Sequence, residues 1–358
     1  MRFWGILAMP DSSDKPMTIT ALAKGLGVSV ATVSSVLNHR HVQRRISPET
    51  VRKVRQAAAA AGYLPNISAR RLRSGAASRY LVLAVVTSYQ APLPLVSASI
   101  AAFHRLIHEE PYRDIQSTIA VEMFEAGRLA DPPGLLDGSR CNGAIIANTL
   151  AQDDAFLAAS QWSIPIVLIG RDIPNYSSVR DLPEKTGQQA AEILLGADSR
   201  RLAVLHAKML TQATGGRLGG FVEKVKSFGA EEPATIISEG FDERDGYRAM
   251  QRFLEQGYQV DGLYSIMDSL AVGAYRALKE HGLRIPEDVA VIGTGDYPIA
   301  SYLDPPLSTF TRSQYNIHEE AVRLLLGHLT GKIKTPTQVL IPVLPVLRQS
   351  TQRGRPGW

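Results

Sequence analysis

The chain has 358 residues, 45% hydrophobic and 20% charged, which suits two or three globular domains and argues against disordered or fibrous classes. Its formal charge of +5 is uneven: residues 17–79 hold eleven Lys or Arg against Glu49 alone, a local +10, which leaves −5 for residues 80–358. No membrane partner is expected, since every apolar run is broken by Pro, Gly or charge well short of the roughly 18 to 20 residues a span needs. A single cysteine, Cys141, excludes an intramolecular disulfide framework and a Cys-based zinc site. Lying before Asn142-Gly143-Ala144-Ile145-Ile146, it reads as a buried, inert thiol at a strand entry.

Residues 1–16 read as a disordered extension, with Met17 as the expected natural start. The apolar stretch Phe3 to Met9 is followed at once by Asp11-Ser12-Ser13-Asp14-Lys15, without the cleavage site of a secretion signal. From Thr18 the pattern sharpens. Ile19, Leu22, Ala23 and Leu26 recur at helical spacing, Gly27 interrupts, Ser29 can cap a second helix, and Val33, Val36 and Leu37 form its apolar stripe. A helix-turn-helix needs a small residue where its helices cross, a turn residue tolerating left-handed backbone, and an apolar residue facing back. Ala23, Gly27 and Val33 supply them. A third helix starts at Ser47-Pro48-Glu49-Thr50, with Ser47 as cap and Val51, Val54, Ala57, Ala58 and Ala61 buried. Tyr63-Leu64-Pro65-Asn66 then leads into one or two helical turns through Arg70-Arg71-Leu72-Arg73, ended by Gly75.

Thr18 to Asn38, together with the YLPNISARRL stretch, resembles the lactose-repressor (LacI/GalR) family of bacterial transcription regulators. The resemblance continues more loosely to about Leu347, most clearly at Gly282 to Gly293 and at Pro305-Pro306-Leu307-Ser308-Thr309. It implies a small all-α helix-turn-helix domain plus an α/β effector domain like type I periplasmic binding proteins.

Independently of the family, residues 80–350 alternate strand-like and helix-like segments. Strands are expected near 80–86, 115–121, 143–147 and 164–169, with helices near 95–109, 126–136 and 152–161. A second series expects strands near 201–206, 234–238, 260–266 and 288–293, with helices near 183–196, 215–228, 243–256 and 269–281. Two βα series imply two doubly wound subdomains, whose ligands bind beyond the carboxyl ends of the strands. The family architecture has three crossings between lobes, expected near 170–178, 297–309 and 331–336. The expected organisation is therefore helix-turn-helix domain 17–64, hinge helix and linker 65–79, effector and dimerisation domain 80–350, and tail 351–358. Lobe 1 takes about 80–172 and 308–331, and lobe 2 about 178–298 and 336–350.

For DNA, the resemblance maps the base-facing start of the recognition helix onto Val30 and Ala31, with Ser35 one turn on. None has a long polar arm, so specificity leans on few direct contacts, on shape and on the hinge. Many relatives have Arg where this chain has Ser35. Thr18, Thr32, Ser34 and Asn38 suit phosphate contacts. In the family the leucine matching Leu72 pries open a base step from the minor groove, with Arg70, Arg71 and Arg73 on groove walls or phosphates.

For the effector, Arg217 matches the family arginine that reaches the ligand. The usual Gly-Phe-Asp-Asp element is Gly293-Thr294-Gly295-Asp296 here, so a ligand-facing aspartate becomes Gly295 while Asp296 survives one step along. An Asn-Asp pair becomes Met267-Asp268, where Asp268 is a ligand or helix-cap candidate. Asn148, Arg171 and Asp181 sit at strand ends where cleft residues occur. These losses point either to a small-molecule effector, such as a sugar derivative, other than a typical hexose or pentose, or to a cleft that has drifted or lost its ligand.

Enzyme signatures are missing: no Ser-His-Asp set, Walker loop or metal-spaced His cluster occurs, and His104 and His108 read as a solvated helix face. No cofactor is expected. A pure small-molecule binding protein, the competing class, would carry a secretion signal and no basic module. The sequence is read as a cytoplasmic, ligand-responsive transcriptional regulator, a repressor by family habit, binding double-stranded operator DNA as a homodimer because one helix-turn-helix reads too few base pairs.

Overall fold

The structure, a computed structural model, describes residues 19–37, 44–60, 81–110, 112–113, 115–132, 140–312 and 316–353. The chain divides into two compact units, Met1–Ser74 and Gly75–Trp358.

In the first unit α1 (Ile19–Leu26) and α2 (Val30–Leu37) meet at 109°, within the range of a helix-turn-helix. Gly27 makes the corner. It sits at φ +64°, its N–H reaches the Lys24 carbonyl at 3.3 Å and the next N–H, of Val28, reaches Ala23 at 3.1 Å, a Schellman closure that a left-handed residue permits. Ser29 caps α2, accepting from the Thr32 N–H at 3.0 Å, and Ser47 caps α3 (Pro48–Ala60), accepting from Thr50 at 3.2 Å. The three helices close on Leu22, Ala23, Val33, Val36, Val51 and Val54.

In the second unit the first sheet is wholly parallel. Its strands are β1 (Leu81–Ser88), β2 (Ser117–Phe124), β3 (Gly143–Ile146), β4 (Ile166–Ile169), β5 (Ser177–Arg180) and β11 (Gln338–Leu340), in the order β11-β5-β4-β3-β1-β2. The helices α4 (Leu93–Leu106) and α10 (Ile317–Leu329) pack on one face, and α5 (Ala151–Ala159) on the other. The second sheet is also parallel, with β6 (Leu202–Ala207), β7 (Ala234–Ser238), β8 (Gly262–Ser265) and β9 (Ala290–Ile292) in the order β7-β6-β8-β9. Around it lie α6 (Pro183–Gly196), α7 (Gln212–Ser227), α8 (Glu243–Glu255) and α9 (Asp268–Glu280). A two-stranded antiparallel ribbon of β10 (Thr309–Thr311) and β12 (Leu344–Val346) joins this lobe through a bridge between Ile292 and Ser308.

The observed crossings lie later in the chain than the expected ones. β5 and β11 are paired into the first sheet, so the chain leaves lobe 1 at Asp181-Leu182 rather than near 170–178, and for the last time after Leu340 rather than near 331–336. Ser308 and β10 still belong to lobe 2, which moves the middle crossing from 297–309 to the stretch between Thr311 and α10. Short polar strands such as Ser177-Ser178-Val179-Arg180 have no alternation to betray them; their place is decided by pairing with distant segments. The expected helix near 126–136 is likewise corrected over 126–132, which are turns and bends. There Gly127 lies at φ +86°, and the Gly127 and Leu129 N–H groups both donate to the buried carboxylate of Asp153 at 2.9 Å, a contact incompatible with helical hydrogen bonding.

Candidate functional site

The two lobes face one another across a cavity of about 120 Å³. A water needs roughly 10 to 15 Å³ on this scale, so the space suits a small molecule. Its walls are the residues just beyond strand ends: Thr87 and Ser88 close β1, Asn148 follows β3, Arg171 follows β4, Asp181 follows β5, Met267 follows β8, and Thr294-Gly295 follow β9. Both switch points of strand order, between β1 and β3 and between β6 and β8, open on this cleft, where doubly wound sheets leave a crevice.

Its charged centre is Asp181, whose side chain is only 3% exposed. Arg312 donates to its Oδ2 from Nε at 3.0 Å and from Nη2 at 2.6 Å, and Arg217 Nη2 stands 3.7 Å away. Burial pushes the Asp181 carboxyl upward, but the two arginines and the Arg312 hydrogen bonds outweigh it and hold it below the usual carboxylate range. Asp181 belongs to the first crossing and Arg312 to the second, so the pair clasps the hinge. Beside it the Ile341 N–H, on the third crossing, donates to the Arg180 carbonyl at 2.8 Å.

Arg217 reaches this point because α6 and α7 nearly touch. A Cβ on Gly187 would lie 2.0 Å from the Arg217 carbonyl oxygen, and one on Gly220 would lie 2.0 Å from that of Glu184. α7 starts at Thr211, which caps it by accepting from the Thr214 N–H. The Arg217 guanidinium is buried, donates from Nη1 to the Ile266 carbonyl at 3.2 Å, and has an Nε without a hydrogen-bond partner among the described residues.

The other candidates divide. Asn148 lines the cleft in a left-handed conformation, φ +57°, and donates to Thr87 Oγ1 at 3.0 Å. Arg171 also borders it, but its guanidinium is consumed internally by Thr149, by the Ile169 and Gly170 carbonyls and by Asp154 at 3.7 Å; burial lowers it to about 10. Asp296 and Asp268 are corrections to the effector set, because neither lines the cleft. Asp296 turns to Arg348 Nη2 at 2.7 Å, while Asp268 accepts from Thr309 Oγ1 at 2.7 Å and from the Tyr297 N–H at 3.0 Å. Burial pushes Asp268 up to about 6. Nor does Asp268 cap α9 through its side chain, since Met267 occupies that position.

Arg312, His318 and Ser99 were not singled out in the sequence. His318 Nδ1 lies 2.8 Å from Ser99 Oγ on the cleft wall, and burial, then the charge of Arg312, lowers it to about 4, so the ring is neutral near pH 7. The recognition of Arg312 from sequence would have required knowing that it meets Asp181, 131 positions away.

On α2, Ala31 is exposed, whereas Val30 is half-buried against its own core. The Ser35 hydroxyl donates back to the Ala31 carbonyl at 2.7 Å, and the Thr32 hydroxyl lies 2.8 Å from that of Ser29. Ser34 is half-buried. Thr18, Asn38, Arg70, Arg71, Leu72 and Arg73 lie outside the described residues. Lys24, Arg44, Arg45, Arg52 and Lys53 are exposed on this unit, and Lys53 pairs with Glu49 at 2.9 Å.

Comparison with known proteins agrees with both halves. Residues 18–66 match bacterial regulatory proteins of the lacI family, and residues 194–351 match a periplasmic binding protein-like domain. The chain is 30% identical to the transcriptional regulator GalS of Salmonella typhimurium over 333 residues, 92% of this chain and 95% of GalS. It is 26% identical to the transcriptional regulator CelR of Thermobifida fusca over 343 residues, 93% of this chain and 98% of CelR. Among solved structures, the lac repressor dimer bound to operator and the anti-inducer ONPF is similar at a TM-score of 0.65 and 25% identity, covering 94% of this chain and 99% of that one. A helix-turn-helix followed by two doubly wound lobes, matched end to end by such relatives, places the chain in the LacI family of bacterial regulatory proteins, as a DNA-binding transcriptional regulator.

Proposed function

We propose that this regulator is a repressor whose homodimer binds a pseudo-palindromic operator in the cytoplasm, and that a small molecule in the interlobe cleft sets its DNA affinity. It acts by binding, not catalysis. Ala31 would face bases, with Val30 and Ser35 beside it; Thr18, Thr32, Ser34 and Asn38 would meet phosphates. Leu72 would wedge the minor groove, flanked by Arg70, Arg71 and Arg73. Arg217 and Asn148 would touch the effector, and Arg171 would hold the wall.

The observation that carries the ligand-gated part is the hinge clasp. Asp181 and Arg312 sit on two crossing segments and also line the cleft, with Arg217 of lobe 2 beside them. A ligand that meets these groups meets the hinge, so occupancy biases the angle between lobes. The CelR structure similar to this chain is a complex with cellobiose, and the lac repressor structure holds operator, which supports a ligand in the one region and DNA at the other.

The test is a gel shift with DNA flanking the chain's own gene, repeated with a metabolite panel. A shifted fragment whose affinity changes with one metabolite in the parent, but not in Arg217→Ala, is the expected result. DNA affinity indifferent to every cleft ligand would overturn the gating.

A further inference from the structure

The charged groups lining the cleft do not balance. They are Arg171, Asp181, Arg217 and Arg312, with His318 neutral. Arg171 is answered by Asp154 outside the cleft, so two arginines share the one carboxylate of Asp181. Asp268 gives no help at the cleft face, because its oxygens are taken by Thr309 and the Tyr297 N–H. The Arg217 side chain is 8% exposed, its contact to Asp181 is a loose 3.7 Å, and its Nε has no partner among the described residues. A buried cation with an unsatisfied donor is costly unless an anion arrives.

The larger part of the remaining wall is apolar, although Thr87, Ser88, Gln90, Asn148 and Thr294 also line it. Leu95, Val96, Ile169, Met209, Phe241 and Met267 face the same space, and Gly295 offers no side chain at all. Such an apolar surface rewards hydrocarbon in the ligand. We propose that the effector is a small monocarboxylate with an apolar body, its carboxylate completing the coordination of Arg217 and drawing Arg312 partly from Asp181, its hydrocarbon against Phe241 and Met267. A guanidinium with Nε unpartnered among the described residues and Nη2 held only loosely suits a planar carboxylate, which can take both N–H donors, better than a single hydroxyl.

This inference rests on the cleft being the effector site, and the experiment separates the two. Calorimetric titration of the full chain would use hexanoate, octanoate, benzoate and phenylacetate, against benzamide, inorganic phosphate and glucose. At least one carboxylate should bind at least tenfold tighter than benzamide and glucose, and phosphate should not bind, for want of an apolar body. Arg217→Lys keeps a charge but loses the planar fork, and should weaken that carboxylate by about tenfold or more; Arg217→Met should abolish its binding. Tighter binding of glucose or benzamide, phosphate bound as well as the carboxylates, or no carboxylate binding at millimolar concentration would each overturn the inference. Arg217-dependent carboxylate binding that never alters DNA affinity would leave the inference standing and sink the gating, whereas Arg217-dependent glucose binding that does alter it would do the reverse.

Discussion

Replacing Arg312 by Met keeps most of the side-chain volume and removes the two hydrogen bonds that hold Asp181. Breaking a buried pair by deleting one partner costs about 3 to 5 kcal/mol, since the other charge is left behind. Here Arg217 remains at 3.7 Å and the Arg312 side chain is 26% exposed, so about 2 to 3 kcal/mol is expected at neutral pH, discounting the same range for screening. The sign follows from linkage. In the parent Asp181 is held below its usual value, so its contribution is full above the unfolded value and is lost as pH falls through the folded one. In the variant only Arg217 and a backbone hydrogen bond would oppose burial, the largest single influence, so the carboxyl is expected to rise, with the ionised form penalised near neutrality and relieved by protonation on acidification. Urea unfolding at fixed protein concentration should therefore show the widest gap between parent and variant near neutral pH and a narrower one in mild acid. Asp181→Asn added to Arg312→Met removes the stranded charge and should recover about half the loss or more, by the same argument. Additive losses together with a pH-independent gap would refute the reasoning.

Other perturbations probe different parts. Gly220→Ala would drive its Cβ to 2.0 Å from the Glu184 carbonyl oxygen, so α6 and α7 must separate; a loss of about 1 to 3 kcal/mol by denaturant unfolding is expected, with weaker ligand binding because Arg217 rides on α7. Gly27→Ala meets no neighbour, so its cost is the left-handed backbone alone, about 1 to 2 kcal/mol, read as a lower melting temperature of the helix-turn-helix unit with the effector unit unchanged. Leu72→Ala would remove the proposed apolar wedge but no charge, and should weaken operator binding by about 1 to 3 kcal/mol while leaving non-specific DNA binding nearly intact in fluorescence anisotropy. Equal operator affinity and equal DNA bending would give Leu72 a packing role instead.

Long segments with strong periodicity were legible. The helix expected at 183–196 spans those residues, and the corner at Gly27 followed from the need for a left-handed turn residue. Elements fixed by distant partners were not. β5 and β11 are short and show no apolar alternation; the pairing of β5 with β4, and of β11 with β5, assigns them to the first sheet. The stretch after β2 has helical spacing but gives its N–H groups to Asp153. At the site, Asn148 could be placed by its position at a strand end, whereas Arg217 was assigned through the family resemblance. The Asp181–Arg312 clasp could not, because neither residue signals its partner across 131 positions. Asp296 and Asp268 failed as cleft residues for a related reason: a carboxylate at a strand end satisfies whatever donor lies closest, here Arg348, Thr309 and a backbone N–H.

The central claim is that DNA is held by the basic segment of residues 17–79, and the salt dependence of operator binding tests it most directly. For the full chain, log affinity should fall linearly with log salt at about 0.9 per neutralised phosphate, with several phosphates per subunit, and a fragment beginning at Leu81 should show no operator binding. A flat salt response, or operator affinity retained by the fragment, would contradict the account.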